Sequence, residues 1–324
     1  MNTVEIRPGV ALAYEDDWFG PPWTVPQSVV MIHGNAESSR AWFAWVPRLA
    51  ARYRVIRPDL PGFGASPAPE RYGWSVDELA ADIGHFLDAL GIAKCHLVGA
   101  KYGGSACVAF ASQNADRLHS LALFGSPVRG SGTGNADLIR QKGVRGWAAE
   151  TMRARLGSAA PPAQVAWWAD ELMGRTSARA ALAASSARIG MELEEKLPQI
   201  GVPVLIVTSQ ESGLQSVAAV NDYAARLPEA RVIVLPGDSY HVAAAEPETC
   251  VRHAAEFFAA VGAANSNKRI GSIVPSPLEG EGQGGGWPHT HALALHRRAS
   301  PFATASKNSA ACRTQVSGSA AATW

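Results

Sequence analysis

Lys101 stands at the centre of a Gly-x-x-x-Gly segment, Gly99–Gly103, whose spacing is typical of a tight turn from a strand into a helix. The residues before it, 95–99, form a short apolar run that suits a buried strand, and residues 102–110 are small and apolar at helical spacing. Glycines are expected in such a turn because its backbone is strained and the helix packs closely on the strand. The pattern therefore predicts that the Lys101 side chain projects from a helix N-terminus.

A lysine in that position can do chemistry when its amine is neutral. The positive end of a helix and burial both disfavour the ammonium, so we expect a pKa lowered from about 10.4 toward neutrality. A neutral amine can attack an aldehyde or ketone to form a Schiff base, or accept a proton beside a histidine. It is a poor acyl carrier, because an acyl-lysine is an amide that water releases too slowly. The alternative is a charged Lys101 that pairs with Glu37 or Glu211 as a structural bridge.

Five segments in order resemble the α/β-hydrolase fold over about residues 1–262. They are a strand ending in a His-Gly loop at 28–38, a strand with an Asp-x-x-Gly-x-Gly-x-Ser loop at 54–66, the turn around Lys101, a strand at 203–208 and a strand leading to a histidine at 231–241. The resemblance implies a mostly parallel, eight-stranded-type α/β sheet flanked by helices. It places the core at 1–128 and 198–262, with a helical cap inserted at 129–197.

The resemblance also assigns roles to individual residues. The nucleophile position holds Lys101 in place of the usual serine, and the base position holds His241. The acid position, counted from the strand end, falls on Ser212, and Glu211 just before it is expected to serve as the catalytic acid. An oxyanion hole is expected from backbone amides, at Tyr102 and at Asn35 or Ala36.

In this family a cap roofs the pocket and sets substrate choice. Large side chains of the predicted cap are therefore candidate pocket walls, although each could equally pack the cap onto the core. The candidate pocket residues are Glu37, Trp147, Met152, Trp167, Trp168 and Met173.

Three functions remain open from the sequence. The first is a cofactor-independent hydrolase of a small or medium apolar carbonyl compound, an ester, lactone or activated C–C bond, with a Lys-His centre in place of Ser-His-Asp. The second is a lyase in which Lys101 forms a Schiff base or transfers a proton. The third is a non-catalytic protein that holds a ligand carboxylate with its ammonium. The serine-type acyl-enzyme cycle is excluded by the lysine.

The charge distribution and composition leave a small-molecule substrate as the expected partner. The formal net charge is +1, and the last 59 residues carry six Lys/Arg against two Asp/Glu, so the rest of the chain is slightly acidic and gives no reason to expect nucleic acid as a partner. No apolar run spans a membrane, and the N-terminal residues lack a signal-like stretch, which favours the cytoplasm. The histidines and four cysteines show no metal-ligand spacing, so neither metal nor cofactor is expected. Residues 263–324, rich in Gly, Pro, Ser and Ala, are expected to be disordered.

Overall fold

The computed structural model describes residues 1–130 and 134–271. Its strands form one eight-stranded, mostly parallel sheet, as predicted. The strands are β1 (Asn2–Arg7), β2 (Val10–Asp17), β3 (Ser28–Ile32), β4 (Arg54–Pro58), β5 (Cys95–Ala100), β6 (Leu118–Phe124), β7 (Val204–Ser209) and β8 (Ala230–Leu235). Their order across the sheet is β1-β2-β4-β3-β5-β6-β7-β8. The pairings of β1 with β2 and of β2 with β4 are antiparallel, and the remaining neighbours are parallel.

Helices follow most of the strands and cover both faces of the sheet. They are α1 (Val46–Leu49), α2 (Val76–Ala89), α3 (Lys101–Gln113), α4 (Gly134–Leu156), α5 (Pro162–Ala166), α6 (Ala178–Ala187), α7 (Val217–Ala224), α8 (Val242–Ala245) and α9 (Pro247–Gly271). Short 3₁₀ turns lie at Ser39–Trp42, Ala115–Arg117, Met173–Arg175 and Glu194–Gln199, and a π-helical segment at Trp167–Leu172. Helix α2 follows Ser75, whose hydroxyl caps its N-terminus by accepting the amide of Glu78.

Central strand β3 shows how the sequence forms a two-faced core. All five of its residues are buried, and successive side chains of a strand point to opposite faces. Val30 and Ile32 accordingly join the apolar cluster that contains α2 and α3, whereas Val29 and Met31 join the cluster on the other face. A continuous run of apolar residues is thus what a parallel strand covered on both sides requires.

The chain between β6 and β7 is mostly helical where the structure describes it, and contains α4, α5, α6 and the π-helical segment. α4 bends at Gly143, whose φ of 69° lies in the region that favours glycine. Trp147 and Met152 of α4 pack in the same apolar cluster as Phe124 at the end of β6. The separate cap domain at 129–197 stays a prediction. At the other end, α9 continues past the expected boundary at 262 to Gly271, and residues 272–324 of the expected disordered tail lie outside the described residues.

Candidate active site

The turn between β5 and α3 places Lys101 at the start of a helix. Lys101 has a φ of 51°, in the left-handed region that costs a residue with a side chain about 1–3 kcal/mol. The glycine two residues later permits the turn, because a Cβ at Gly103 would collide with the carbonyl oxygen of His33. Lys101 as a whole residue is only 6% exposed. This strained turn thus holds the Lys101 side chain in a buried position.

The loop after β3 faces this turn and is ordered by His33. The Nδ1–H of His33 donates to the carbonyl of Gly34 (2.8 Å), and its Nε2 accepts the amide of Leu60 (2.9 Å). Burial lowers the pKa of His33, which keeps the ring neutral for both bonds. Asp59 fixes the adjoining loop by accepting the amide of Ala65 (2.8 Å).

The predicted oxyanion residues lie on these two segments. Tyr102 is the second residue of α3, and the first amides of a helix lack an intrahelical partner. Ala36 has a φ of 61°, and within the described residues its amide donates no hydrogen bond. The amide of Asn35 stays an alternative donor, and its side chain is engaged elsewhere, with Nδ2 donating to the Ser185 hydroxyl at 2.9 Å. Both expected main-chain donors therefore border the Lys101 turn.

Glu37 joins the lysine to the histidine. Nζ of Lys101 donates to Oε1 of Glu37 at 2.7 Å, and Nε2 of His241 lies 3.0 Å from the same oxygen. The second oxygen, Oε2, accepts the amide of Gly34 at 3.0 Å. Glu37 is 1% exposed and His241 is 2% exposed, so the three charged or titratable groups lie together in the interior.

Burial and mutual contact set the ionisation of these groups. Burial lowers the pKa of Lys101 to about 8, against the opposing effect of Glu37. Burial alone would raise the pKa of Glu37, but His241 and Lys101 outweigh it and hold that pKa well below its usual range. Burial likewise lowers the pKa of His241, partly offset by Glu37. Near neutral pH the centre therefore holds a carboxylate, an imidazole and an ammonium that can lose its proton slightly above neutrality.

The imidazole of His241 is held by its surroundings more than by hydrogen bonds. The ring of Trp168 packs edge-on against it with centroids 5.1 Å apart, and its backbone amide donates to the carbonyl of Arg155 at 2.9 Å. Among the described residues neither ring nitrogen has a hydrogen-bond partner with good geometry. Oε1 of Glu37 lies 3.0 Å from Nε2, but not along the direction of an N–H bond from that nitrogen. Neither ring nitrogen is therefore committed to a well-formed hydrogen bond within the described residues.

The candidate pocket residues fall into different places. Trp147 lines a cavity of about 140 Å³ together with Lys101 and Tyr102. Met152 and Met173 are completely buried in the apolar cluster. Trp168 contacts His241, as described above, and Glu37 belongs to the charged centre and to a neighbouring cavity of about 230 Å³.

Trp167 alone among these candidates lies near the surface. It is half-buried and packs edge-on against Phe43, with centroids 5.3 Å apart. Together with Phe43 it lines a different, open cavity that does not include Lys101. Trp147 and Trp168 are thus the large side chains of the helical segment that adjoin the candidate site.

Comparison with known proteins agrees with the fold. A family model described as alpha/beta hydrolase fold matches residues 27–162, which include β3, the Lys101 turn and β6. The chain has the α/β-hydrolase fold. The enol-lactonase from Burkholderia xenovorans LB400 superposes with a TM-score of 0.72 at 23% identity, over 79% of this chain and 99% of that one. At this identity the likeness concerns the fold.

Two relatives match a shorter stretch of the chain. Haloalkane dehalogenase 2 of Mycobacterium tuberculosis is 34% identical over 110 residues, 34% of this chain and 36% of the relative. 2-Hydroxy-6-oxo-2,4-heptadienoate hydrolase of Pseudomonas putida is 36% identical over 101 residues, 30% of this chain and 37% of the relative. The matches thus span little more than a third of the relatives' lengths.

The carboxylate beside His241 differs from the expected one. Glu211 is exposed, and no hydrogen bond or ion pair joins it to His241 in the part of the chain that the structure describes. Its backbone amide donates to the carbonyl of Gly237 (3.0 Å), which holds the loop but leaves the side chain at the surface. The carboxylate beside the imidazole belongs to Glu37, so the structure replaces Glu211 by a residue from the opposite loop.

No group of three or more His, Cys, Asp or Glu residues suited to a metal ion occurs in residues 1–130 and 134–271. Every helix in the same residues falls short of the length or apolarity that crossing a bilayer requires.

Proposed function

We propose that this α/β-hydrolase is a cofactor-independent hydrolase of small or medium carbonyl compounds, with esters, lactones or activated C–C bonds as substrates. The observation that carries the proposal is the buried contact of Lys101, Glu37 and His241 at a retained strained turn, next to two main-chain amides and a cavity. A merely structural ion pair would not require the turn or the amides to be kept. Relatives named as hydrolases, matched over little more than a third of their length, support the same reaction class.

Hydrolysis at this centre begins with direct attack by water. The neutral imidazole of His241 takes a proton from water as the water oxygen bonds to the carbonyl carbon. The carbonyl electron pair moves to oxygen, where the amides of Ala36 and Tyr102 hold the negative charge. The intermediate then expels the leaving group, which receives the proton from the imidazolium. Ionised Glu37, 3.0 Å from Nε2, stabilises that imidazolium while it exists.

Lys101 contributes charge and does not form an acyl intermediate in this scheme. Its ammonium holds Glu37 in the ionised form, through the 2.7 Å contact. An acylated lysine would be a stable amide, so Lys101 accelerates the reaction only while its amine is not acylated. Lys101 is therefore a positioning residue for Glu37 and, through it, for His241.

Rates on a panel of p-nitrophenyl esters, lactones and β-diketones test the proposal. His241→Ala should lose about 10²–10⁴-fold in kcat/KM, the usual contribution of a general base, and Lys101→Met should lose activity with a changed pH profile. The matched controls are His85→Ala and Lys142→Met, whose side chains are exposed. Equal rates in wild type and both site variants would refute the hydrolase.

A Schiff-base lyase is the second candidate, because the pKa of Lys101 is lowered to about 8. In that reaction the neutral amine adds to a ketone or aldehyde, water leaves, and the iminium withdraws the electron pair of the bond that breaks. Borohydride with a candidate aldehyde should then leave a stable mass increase on Lys101 that Lys101→Met lacks. Tight binding of a carboxylate ligand without turnover, weakened in Lys101→Ser, would instead favour the non-catalytic ligand-binding protein.

A further inference from the structure

The cavity beside Lys101 has an unusual charge. Its volume is about 140 Å³, and two arginines from the helical segment line it with the lysine. They are Arg155, near the end of α4, and Arg188, which directly follows α6. No aspartate or glutamate is among the described residues that line this cavity.

Arg155 is held rigidly but is not neutralised. The side chain is among the buried ones, with the whole residue 4% exposed. Its Nε donates to the Thr151 hydroxyl at 3.1 Å, and its guanidinium stacks over the ring of Trp147 at 4.6 Å. Its Nη2 is buried without a hydrogen-bond partner among the described residues. A guanidinium fixed by stacking and one bond, with a free donor, is prepared to receive an anion.

Arg188 presents a second free donor. Its Nε is buried and likewise has no partner within the described chain. Neither arginine forms an ion pair within the described chain. Most other buried or half-buried arginines do form one, for example Arg57 with Asp17 at 2.6 Å. Burying a cation without a counter-charge is costly, so an ion absent from the protein itself is the natural partner.

Glu37 cannot supply that counter-charge, because it is already shared by Lys101 and His241. We propose that the cavity binds the carboxylate of a small organic acid, held by the free donors of Arg155 and Arg188. The planar fork of a guanidinium matches a carboxylate in shape as well as charge.

The proposal refines the substrate class and, in that respect, rests on the proposed function. A substrate bound this way carries its carboxylate at the arginines and its reacting carbonyl near Lys101 and the main-chain amides. Keto acids, half-esters of dicarboxylic acids and lactones bearing a carboxylate meet that description. The wholly apolar compound expected from the sequence would leave both guanidiniums unpaired.

Isothermal titration calorimetry with butyrate tests binding independently of turnover. Butyramide is the matched neutral probe, of the same shape but uncharged. An engineered apolar cavity of about 150 Å³ admits benzene, so a four-carbon acid is of suitable size. We expect butyrate to bind and butyramide to bind at least about tenfold more weakly, the factor expected for hydrogen bonds to a charged group.

Variants assign the binding to the two arginines. Arg155→Gln and Arg188→Gln should each raise the Kd of butyrate about tenfold or more. Arg140→Gln, an exposed position on the same helix as Arg155, should leave it unchanged. Since Arg188 is half-buried, its variant keeps the test decisive if Arg155→Gln does not fold, which circular dichroism checks. Equal Kd values for butyrate and butyramide, or for wild type and a folded Arg188→Gln, would overturn the proposal.

Turnover separates this failure from failure of the proposed function. His241→Ala should still bind butyrate while it loses hydrolysis. If monomethyl and dimethyl succinate are hydrolysed with equal kcat/KM and butyrate does not bind, the hydrolase stands and the carboxylate site is wrong. If butyrate binds through the arginines but no substrate turns over, the carboxylate site stands and the hydrolase is wrong.

Discussion

Replacing Lys101 by methionine tests the ionisation on which the candidate site depends. Burial lowers the pKa of Lys101 from 10.5 to about 8 in the folded protein. In the unfolded chain the amine keeps its ordinary pKa. Between the two values the unfolded state binds a proton that the folded state does not, so the free energy of unfolding rises with pH across this window.

The size of the rise follows from the same two values. One pKa unit corresponds to 1.36 kcal/mol, and the shift of Lys101 therefore amounts to about 3 kcal/mol. Below about pH 7 both states are protonated and the folded state bears the whole cost of burying the charge. Above about pH 10.5 both are largely neutral and the cost vanishes. Lys101→Met has no amine, so its stability lacks this component.

The assay is urea unfolding followed by circular dichroism at several pH values from about 7 to about 10.5. The free energy of unfolding of wild type minus that of Lys101→Met should increase by about 3 kcal/mol over this range. Other groups that titrate there are common to both proteins and cancel, and Lys142→Met, at an exposed lysine, should follow wild type. A difference that stays constant would mean that the amine remains charged and bound to Glu37, and would refute the reasoning.

Two further perturbations test the centre and the turn. Glu37→Gln removes the carboxylate that raises the pKa of His241. The rising limb of the pH-rate profile should therefore move to lower pH, and the plateau rate should fall. A limb that does not move would show that Glu37 takes no part in the reaction. Gly103→Ala places a methyl group against the carbonyl of His33 and should lower the free energy of unfolding in urea by about 1–3 kcal/mol. The control is Gly262→Ala, in open space on a helix, which should not destabilise the protein. Equal free energies of unfolding for the two variants would contradict the close approach of Gly103 to His33.

The fold was predictable because its signals are local. The buried run of β3 and the glycines around Lys101 act within a few residues, so their pattern survives without knowledge of the tertiary structure. The sequence offered two alternative partners for a charged Lys101, Glu37 and Glu211. Only the packing of the folded chain selects Glu37.

Other parts of the site depend on geometry that spacing does not encode. Glu211 lies one residue before the acid position counted from β7, but the loop sets the direction of its side chain, which is exposed to solvent. Arg155 carries no signal that separates it from exposed Arg153 two residues earlier, because only the docking of α4 decides which one is buried. Arg188 is brought to the same cavity by a different helix, a long-range contact that periodicity does not predict.

Nδ1 of His241 has no hydrogen-bond partner in the part of the chain that the structure describes, and this limits how the scaffold could be converted into a serine esterase. The backbone conformation at position 101 would already present a hydroxyl, so a Lys101→Ser exchange would install the attacking group without rebuilding the bend. That hydroxyl would meet an imidazole with no rear anchor to fix its tautomer, which in serine hydrolases is the duty of the third triad member. Re-engineering would therefore need a second, co-ordinated replacement behind the ring, and a single exchange should yield at best a feeble catalyst.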